Sequence, residues 1–320
     1  MQYLTLDELP ETLDPARALL HLSGFGGVVD RARLERWRRR SGSLAEYGGV
    51  FAVEGDVVVG QTLVNRIPYT FPEGRETVAG IAAVATRPDH RRLGVAQRVL
   101  EEVHRREREA GTRFAFLWTN RSWGAHRLYE RLGYSDVYFP GWAVRLPRRA
   151  ERNDRAVRLR PPRRTELGAL ERLHDAVSRG RWGFATRARG HLRYSAEWGE
   201  IEPRESLVVV VRRGRLEGYA YVEPGVGQVV CGELLARDVA AAAELARAVE
   251  RKARGKAVVF RHEPAQALEG WLKERGYLFL DDGWYGMLAL SLERRLGRRE
   301  LLHRTRASDP RFVCHSSDRF

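Results

Sequence analysis

A basic, glycine-containing turn between an apolar run and a helical pattern is the part of this sequence with the clearest chemistry. The run Ile81–Thr86 predicts a buried strand, and the apolar spacing of residues 96–103 predicts an amphipathic helix. The first amides of a helix lack intrahelical partners and lie at the positive end of its dipole, so they bind anions. Gly94 permits close backbone approach, and Arg91 and Arg92 add positive charge. The segment predicts a phosphate site, although a solvated basic turn has the same composition.

A second helical pattern follows the predicted strand Arg113–Trp118. Ala125, Leu128, Tyr129 and Leu132 are spaced at i, i+3, i+4 and i+7, and a glycine follows them as a helix stop. On spacing alone Tyr129 is an ordinary core aromatic.

Together the two segments resemble the GNAT superfamily of N-acetyltransferases. Residues 91–96, Arg-Arg-Leu-Gly-Val-Ala, are similar to its acetyl-CoA-binding pattern Gln/Arg-x-x-Gly-x-Gly/Ala. Residues 125–134, Ala-His-Arg-Leu-Tyr-Glu-Arg-Leu-Gly-Tyr, resemble its second landmark, Ala-x-x-Leu-Tyr-Glu-x-x-Gly-Phe/Tyr. Neither pattern contains the Gly-Lys-Ser/Thr of a P-loop or the three spaced glycines of a dinucleotide fold.

The resemblance implies a role for residues of both motifs. Backbone groups at the strand end bind the pantetheine arm, the turn amides bind the diphosphate, and Tyr129 protonates the departing CoA thiolate. Many relatives have Asn seven residues before this Tyr; Ser122 stands there, and Asn120 is an alternative contact. The predicted cofactor-binding residues are Val84, Ala85, Thr86, Arg91, Arg92, Leu93, Gly94, Val95, Ala96, Gln97, Asn120 and Ser122.

The implied reaction is direct attack of a neutral primary amine on the thioester of acetyl-CoA. A backbone N–H near residues 84–86 is expected to stabilise the oxyanion. The family often places an acid on the strand before the turn, and Ala79–Thr86 has none. His90 and His104 are expected to be solvated. The alternatives for the base are Glu73, Glu76, His126 and the terminal carboxylate of Asp318-Arg319-Phe320.

The elements that must position these motifs occur twice along the chain. Each half has a predicted hairpin, at residues 50–64 and 207–222, and ends in a helix, a Gly-Tyr pair and an apolar strand. The prediction is α/β (α+β): two tandem GNAT-type domains, each with a mixed, mostly antiparallel sheet flanked by helices. The predicted boundaries are 1–148 for the catalytic domain, 149–293 for a degenerate domain and 294–320 for a tail.

The second half lacks both motifs. Its segment Gly232–Val239 has no basic glycine turn, and Leu272 occupies the position that matches Tyr129. We therefore expect the first domain to catalyse and the second to shape the substrate cleft.

Composition limits the remaining function classes. The net charge is +14, and nearly all of the basic residues are Arg. Such a charge attracts anions in general. One alternative function is nucleic-acid binding through an Arg-rich surface that includes Arg36, Arg39 and Arg40, although the sequence has no recognised nucleic-acid-binding motif. Another is a non-catalytic acyl-CoA-binding protein. Cys231 and Cys314 lie far apart, so neither a disulfide framework nor a metal site is expected. We expect a cytoplasmic protein that has no membrane segment and whose partners are acetyl-CoA and a primary amine.

Overall fold

The computed structural model describes residues 1–41, 44–147, 159–187, 189–197, 201–253, 255–261, 268–280 and 284–314. Its backbone forms two compact units. Met1–Tyr138 and Trp284–Ser308 contribute to unit 1, and Phe139–Gly283 and Asp309–Arg319 contribute to unit 2. Each unit is built on one seven-stranded sheet.

The strands, in chain order, are β1 Gln2–Thr5, β2 Leu44–Glu54, β3 Val57–Phe71, β4 Gly74–Thr86, β5 Phe114–Asn120, β6 Ser135–Tyr138, β7 Trp142–Arg145, β8 Leu159–Arg160, β9 Leu207–Arg212, β10 Arg215–Pro224, β11 Gln228–Ala236, β12 Ala257–Arg261, β13 Leu278–Leu280 and β14 Tyr285–Ser291. The helices are α1 Asp14–Phe25, α2 Arg31–Ser41, α3 Val95–Glu109, α4 Gly124–Arg131, α5 Leu167–Val177, α6 His191–Glu197, α7 Pro203–Ser206, α8 Val239–Ala253, α9 Glu269–Glu274 and α10 Arg298–Thr305.

The sheet of unit 1 has the order β1-β2-β3-β4-β5-β14-β6. All its neighbours are antiparallel except β4 and β5, which are parallel. The predicted hairpin is the pair β2 and β3, joined by a tight turn whose Gly55 has a φ of 61°. Leu6, Leu34 and Phe51 are fully buried in the core that α1 and α2 cover.

The sheet of unit 2 has the order β13-β7-β12-β11-β10-β9-β8. Here too one neighbouring pair, β11 and β12, is parallel, and the others are antiparallel. The second predicted hairpin is β9 and β10. The apolar face of α8 packs on this sheet, with Leu245, Val249 and Phe260 fully buried. The predicted mixed, mostly antiparallel fold is therefore confirmed for both units.

The last strand of each half lies in the sheet of the other half. Strand β7, which the predicted boundary at 148 assigns to the first domain, pairs with β12 and β13 in unit 2. Strand β14 inserts between β5 and β6 in unit 1. The apolar pattern of each segment predicts a strand but contains no information on its partner, so the predicted boundaries differ from the observed units.

The remaining sequence predictions concern features outside the two sheets. Cys231 and Cys314 are both buried, and neither forms a disulfide with a described residue. The segment after residue 293 contains α10, and residues 315–320, with the proposed terminal carboxylate, lie outside the described residues. None of the described helices has the length and apolar character needed to cross a membrane.

Candidate active site

Strands β4 and β5 separate from each other halfway along their length. They pair only over Ala79–Ile81 and Ala115–Leu117. Beyond this point β4 continues to Thr86 with β3 as its neighbour, while β5 continues to Asn120 beside β14. The two strands therefore form no ladder with each other in this part of the sheet, which opens the edge of β4 after Ile81 to a ligand.

A β-bulge in β4 begins where the strands separate. Four residues, 82–85, face three residues of β3, and Ala83 has a φ of 52°, which is rare for a residue with a side chain. Two side chains of β3 hold this conformation. Thr62 Oγ1 donates to the Ala82 carbonyl oxygen at 3.1 Å, and Gln61 Nε2 donates to that of Ala83 at 3.2 Å. The predicted pantetheine contacts, Val84 to Thr86, extend from this bulge along the unpaired edge.

The basic turn leads from β4 into α3 and leaves a run of free amides. The amides of His90 and Arg91 donate within the turn, at 2.9 Å and 3.4 Å. In the described part of the chain, no acceptor receives a hydrogen bond from the amides of Arg92–Gln97. Gly94, with a φ of 78°, precedes α3, and a Cβ on it would meet no atom within 4 Å.

A second glycine lets the start of α3 pack closely on the sheet. A Cβ on Gly60 of β3 would lie 2.5 Å from Val95 Cγ1, so only a glycine allows this close approach. Residues 91–94, directly before α3, are all exposed. The structure thus brings the predicted diphosphate residues together at one helix end, next to the end of β4.

Tyr129 lies on α4 with 7% of its surface exposed. Its hydroxyl makes no hydrogen bond to any described residue. Burial, followed by the nearby Tyr285, raises the pKa of Tyr129 to about 12, so the phenol keeps its proton at physiological pH. Its ring packs edge-on against Tyr134 at 5.8 Å.

The expectation that His104 is solvated is wrong. His104 is 5% exposed, and its Nε2 lies 2.8 Å from the Tyr134 hydroxyl. Burial lowers the pKa of His104 to about 4, so it is neutral. The i+4 spacing from Leu100 already places it on the buried face of α3, which could have indicated this.

Tyr285 is a site residue that sequence reasoning missed. It belongs to β14 and pairs with Asn120, at the end of β5 that has separated from β4. Its ring stacks on Trp118 at 5.7 Å and 19°, and contacts Trp123 at 6.3 Å. No local signal could have found it, because its place depends on the strand exchange.

Asn120 and Ser122 form a local turn at the start of α4. Asn120 Oδ1 accepts hydrogen bonds from the amide of Ser122 at 2.8 Å and from its hydroxyl at 2.7 Å. Since this oxygen is occupied, a ligand contact from Asn120 would use its side-chain N–H groups.

The described candidates for the general base are poorly placed. Glu73 lies in the turn before β4, and Glu76 lies near the start of this strand, about 26 Å along it from Val84. Their carboxylates contact Arg306 and Arg113, at 3.9 Å and 2.9 Å. Both ring nitrogens of His126 face carboxylates, Asp136 at 2.9 Å and Glu130 at 3.4 Å.

The corresponding region of unit 2 is built differently. The pairing of β11 with β12 ends at Cys231, and Glu233 beyond this point is buried and held by Arg187 and Tyr219. Only two residues connect β11 to α8, and Asp238 Oδ1 accepts from the Ala241 amide at 2.6 Å. A carboxylate thus occupies the helix end that would have to receive a diphosphate.

Comparisons with known proteins give a family match for the first part of the chain and a similar fold for most of it. Residues 11–137 match the family model described as acetyltransferase (GNAT) domain. The fold is similar to GCN5-related N-acetyltransferases from Anabaena variabilis (TM-score 0.68, 14% identity) and Kribbella flavida (0.63, 17%), over 91% of this chain and 72% of each of those. It is also similar to Eis1 from Mycobacterium abscessus (TM-score 0.59, 14% identity, 90% of this chain and 73% of that one). No curated protein matches the sequence significantly.

Proposed function

Because residues 11–137 belong to the acetyltransferase (GNAT) domain family, we propose that this protein transfers an acetyl group from acetyl-CoA to a primary amine. The observation that carries the proposal is the run of unpartnered amides at Arg92–Gln97, beside two strands with unpaired edges. A diphosphate fits the amides, and an extended amide-containing arm fits the strand edge.

Residues of unit 1 would stabilise the oxyanion and protonate the leaving group in this reaction. Acetyl-CoA supplies the activated thioester. Backbone N–H groups of Val84–Thr86 stabilise negative charge on its carbonyl oxygen as the amine nitrogen bonds to the carbon and the C–S bond breaks. Tyr129 gives its proton to the departing sulfur and regains one from solvent, and the amine loses its extra proton to solvent.

We propose that unit 2 is a degenerate copy that binds no coenzyme. The short link before α8 and the Asp238 carboxylate support this, since the carboxylate already accepts from the Ala241 amide that a diphosphate would need. The position matching Tyr129 is taken by the fully buried Leu272.

Gly94→Ala is expected to weaken acetyl-CoA binding at least about 10-fold, because the new methyl group stands where the diphosphate approaches. Gly111→Ala is a matched control: Gly111 has a φ of 77° and also open space around it, but lies at the other end of α3. Both variants should lose about 1 kcal/mol of stability from the left-handed backbone. Isothermal calorimetry checks the difference, and equal affinities for the two variants would contradict the placement of the diphosphate.

The proposed activity is tested by screening the full-length protein against a library of primary amines with acetyl-CoA, with released thiol as the readout. Thiol release that depends on both substrates supports the transferase. Tight acetyl-CoA binding without turnover of any amine would instead favour a non-catalytic acyl-CoA-binding protein.

A further inference from the structure

The side chain of Gln61 links α1 to the bulge of β4. Its Nε2 lies 3.0 Å from His21 Nδ1 and 3.2 Å from the carbonyl oxygen of Ala83. An amide nitrogen has two N–H groups to donate, so both neighbours are acceptors. The reversed amide would place Gln61 Oε1 against the Ala83 carbonyl oxygen, which repels it. His21 is therefore an acceptor at Nδ1, and its neutral ring has its proton on Nε2.

Two polar atoms of this pair remain unused. Within the described residues His21 Nε2 has no acceptor, and the buried Gln61 Oε1 has no donor. Gln61 is 1% exposed and His21 is 9% exposed. Since buried polar atoms are nearly always hydrogen-bonded, the buried Gln61 Oε1 indicates a place for a donor from a ligand or a water, and the N–H of the neighbouring His21 ring is available to the same ligand.

The pair lies on the face of the sheet opposite to the basic turn. Gly60 and Gln61 are consecutive in β3, so they point to opposite faces. Gly60 adjoins Val95 of α3, whereas Gln61 contacts His21 of α1. The gap between β4 and β5 connects the two faces, and α1 extends to its edge: a Cβ on Gly24 would lie 3.3 Å from Ala85 Cβ. A coenzyme bound at the turn therefore leaves the face of α1 to the second substrate.

Apolar side chains of α1 adjoin His21. Leu22 and Phe25 are 39% and 49% exposed, and the Phe25 ring lies 5.0 Å from that of His21. Burial, followed by the charges of Arg17 and Arg33, lowers the pKa of His21. A polyamine has no oxygen to accept from the His21 Nε2–H, so it would leave this donor unused.

On the premise of the proposed function, we propose that His21 and Gln61 bind the amine acceptor. His21 Nε2–H donates to an oxygen of the acceptor, and Gln61 Oε1 accepts from its amine N–H. Leu22 and Phe25 contact its apolar part. The acceptor is thus a primary amine with an oxygen close to the nitrogen and an apolar side chain, and polyamines are poor substrates.

The test compares three acceptors on the full-length protein: L-phenylalaninamide, phenethylamine, which lacks the oxygen, and spermine. We expect kcat/KM for L-phenylalaninamide to exceed that for each of the others by about 10-fold or more. His21→Phe should remove the preference over phenethylamine. His21→Gln, whose side-chain N–H reaches the place of Nε2, should retain most of it.

Leu19→Ala is the control, since Leu19 is 65% exposed on the same helix and should leave all three values unchanged. Thermal unfolding and acetyl-CoA calorimetry verify that the variants fold; if His21→Phe does not, His21→Leu makes the same test and leaves Gln61 on the bulge. Turnover of spermine at the rate of L-phenylalaninamide, or equal losses for both monoamines in His21→Phe, would overturn this inference alone. Absence of turnover with every amine would overturn the proposed function and this inference together.

Discussion

Tyr129→Phe is expected to lower kcat by about 10²–10⁴-fold, the usual contribution of a positioned general acid. Its affinity for acetyl-CoA should stay within about 2-fold of the wild type, because the ring and its packing on Tyr134 are retained. A buried phenol with a pKa of about 12 remains protonated as the pH rises, so Tyr129 itself should cause no loss of rate below about pH 11.

Single-turnover kinetics with calorimetry measure both quantities. Tyr134→Phe is the matched control: it removes the hydroxyl that contacts His104 but leaves Tyr129 in place, so it should reduce stability more than kcat. An unchanged rate in Tyr129→Phe would show that this side chain is only part of the core.

Leu288→Asp is expected to unfold unit 1, at a cost of more than about 4 kcal/mol, because it buries an unpaired charge in a central strand. Leu288 is fully buried in β14, between β5 and β6. Leu280→Asp is the control, since Leu280 is 54% exposed in β13, and its change should stay within about 1 kcal/mol. Chemical denaturation of both variants gives these values.

The same topology predicts that a fragment ending at residue 148 does not fold. It lacks β14, whose Met287 and Leu288 are fully buried. Each such side chain contributes about 1.5–3 kcal/mol, a large share of a domain stability of about 5–15 kcal/mol. Inactivity of this fragment would report lost folding and not a role of unit 2 in substrate binding. A soluble, folded fragment with a cooperative unfolding transition would contradict the exchange of strands.

The sequence was sufficient where the determining interactions are local. The turn from Pro88 to Gly94, the amphipathic spacing of α3 and the hairpin turn at Gly55 each depend on neighbouring residues, so pattern and residue type identified them. The resemblance then supplied the proposed roles of the turn and of Tyr129. Among the described residues, the amides of Arg92–Gln97 and the Tyr129 hydroxyl have no hydrogen-bond partner, as these roles require.

Features that depend on distant residues could not be predicted in this way. The separation of β4 from β5 and the position of Tyr285 follow from strand pairing across the chain. The contact of His21 with Gln61 joins residues forty positions apart. His104 is a mixed case. Its helical spacing indicates a buried position, but its hydrogen bond to Tyr134 comes from tertiary packing.

The placement of β14 also affects how the protein is made. Leu117 of β5 pairs with Leu288 of β14. The ribosome must therefore synthesise the chain as far as β14 before β5 obtains its second neighbour; its first neighbour, β4, is made earlier. Until then β5 exposes an unsatisfied apolar edge, which favours aggregation and slow, late completion of the sheet. Chaperone capture of the nascent chain is therefore expected to matter more here than for a protein whose first half closes its own sheet.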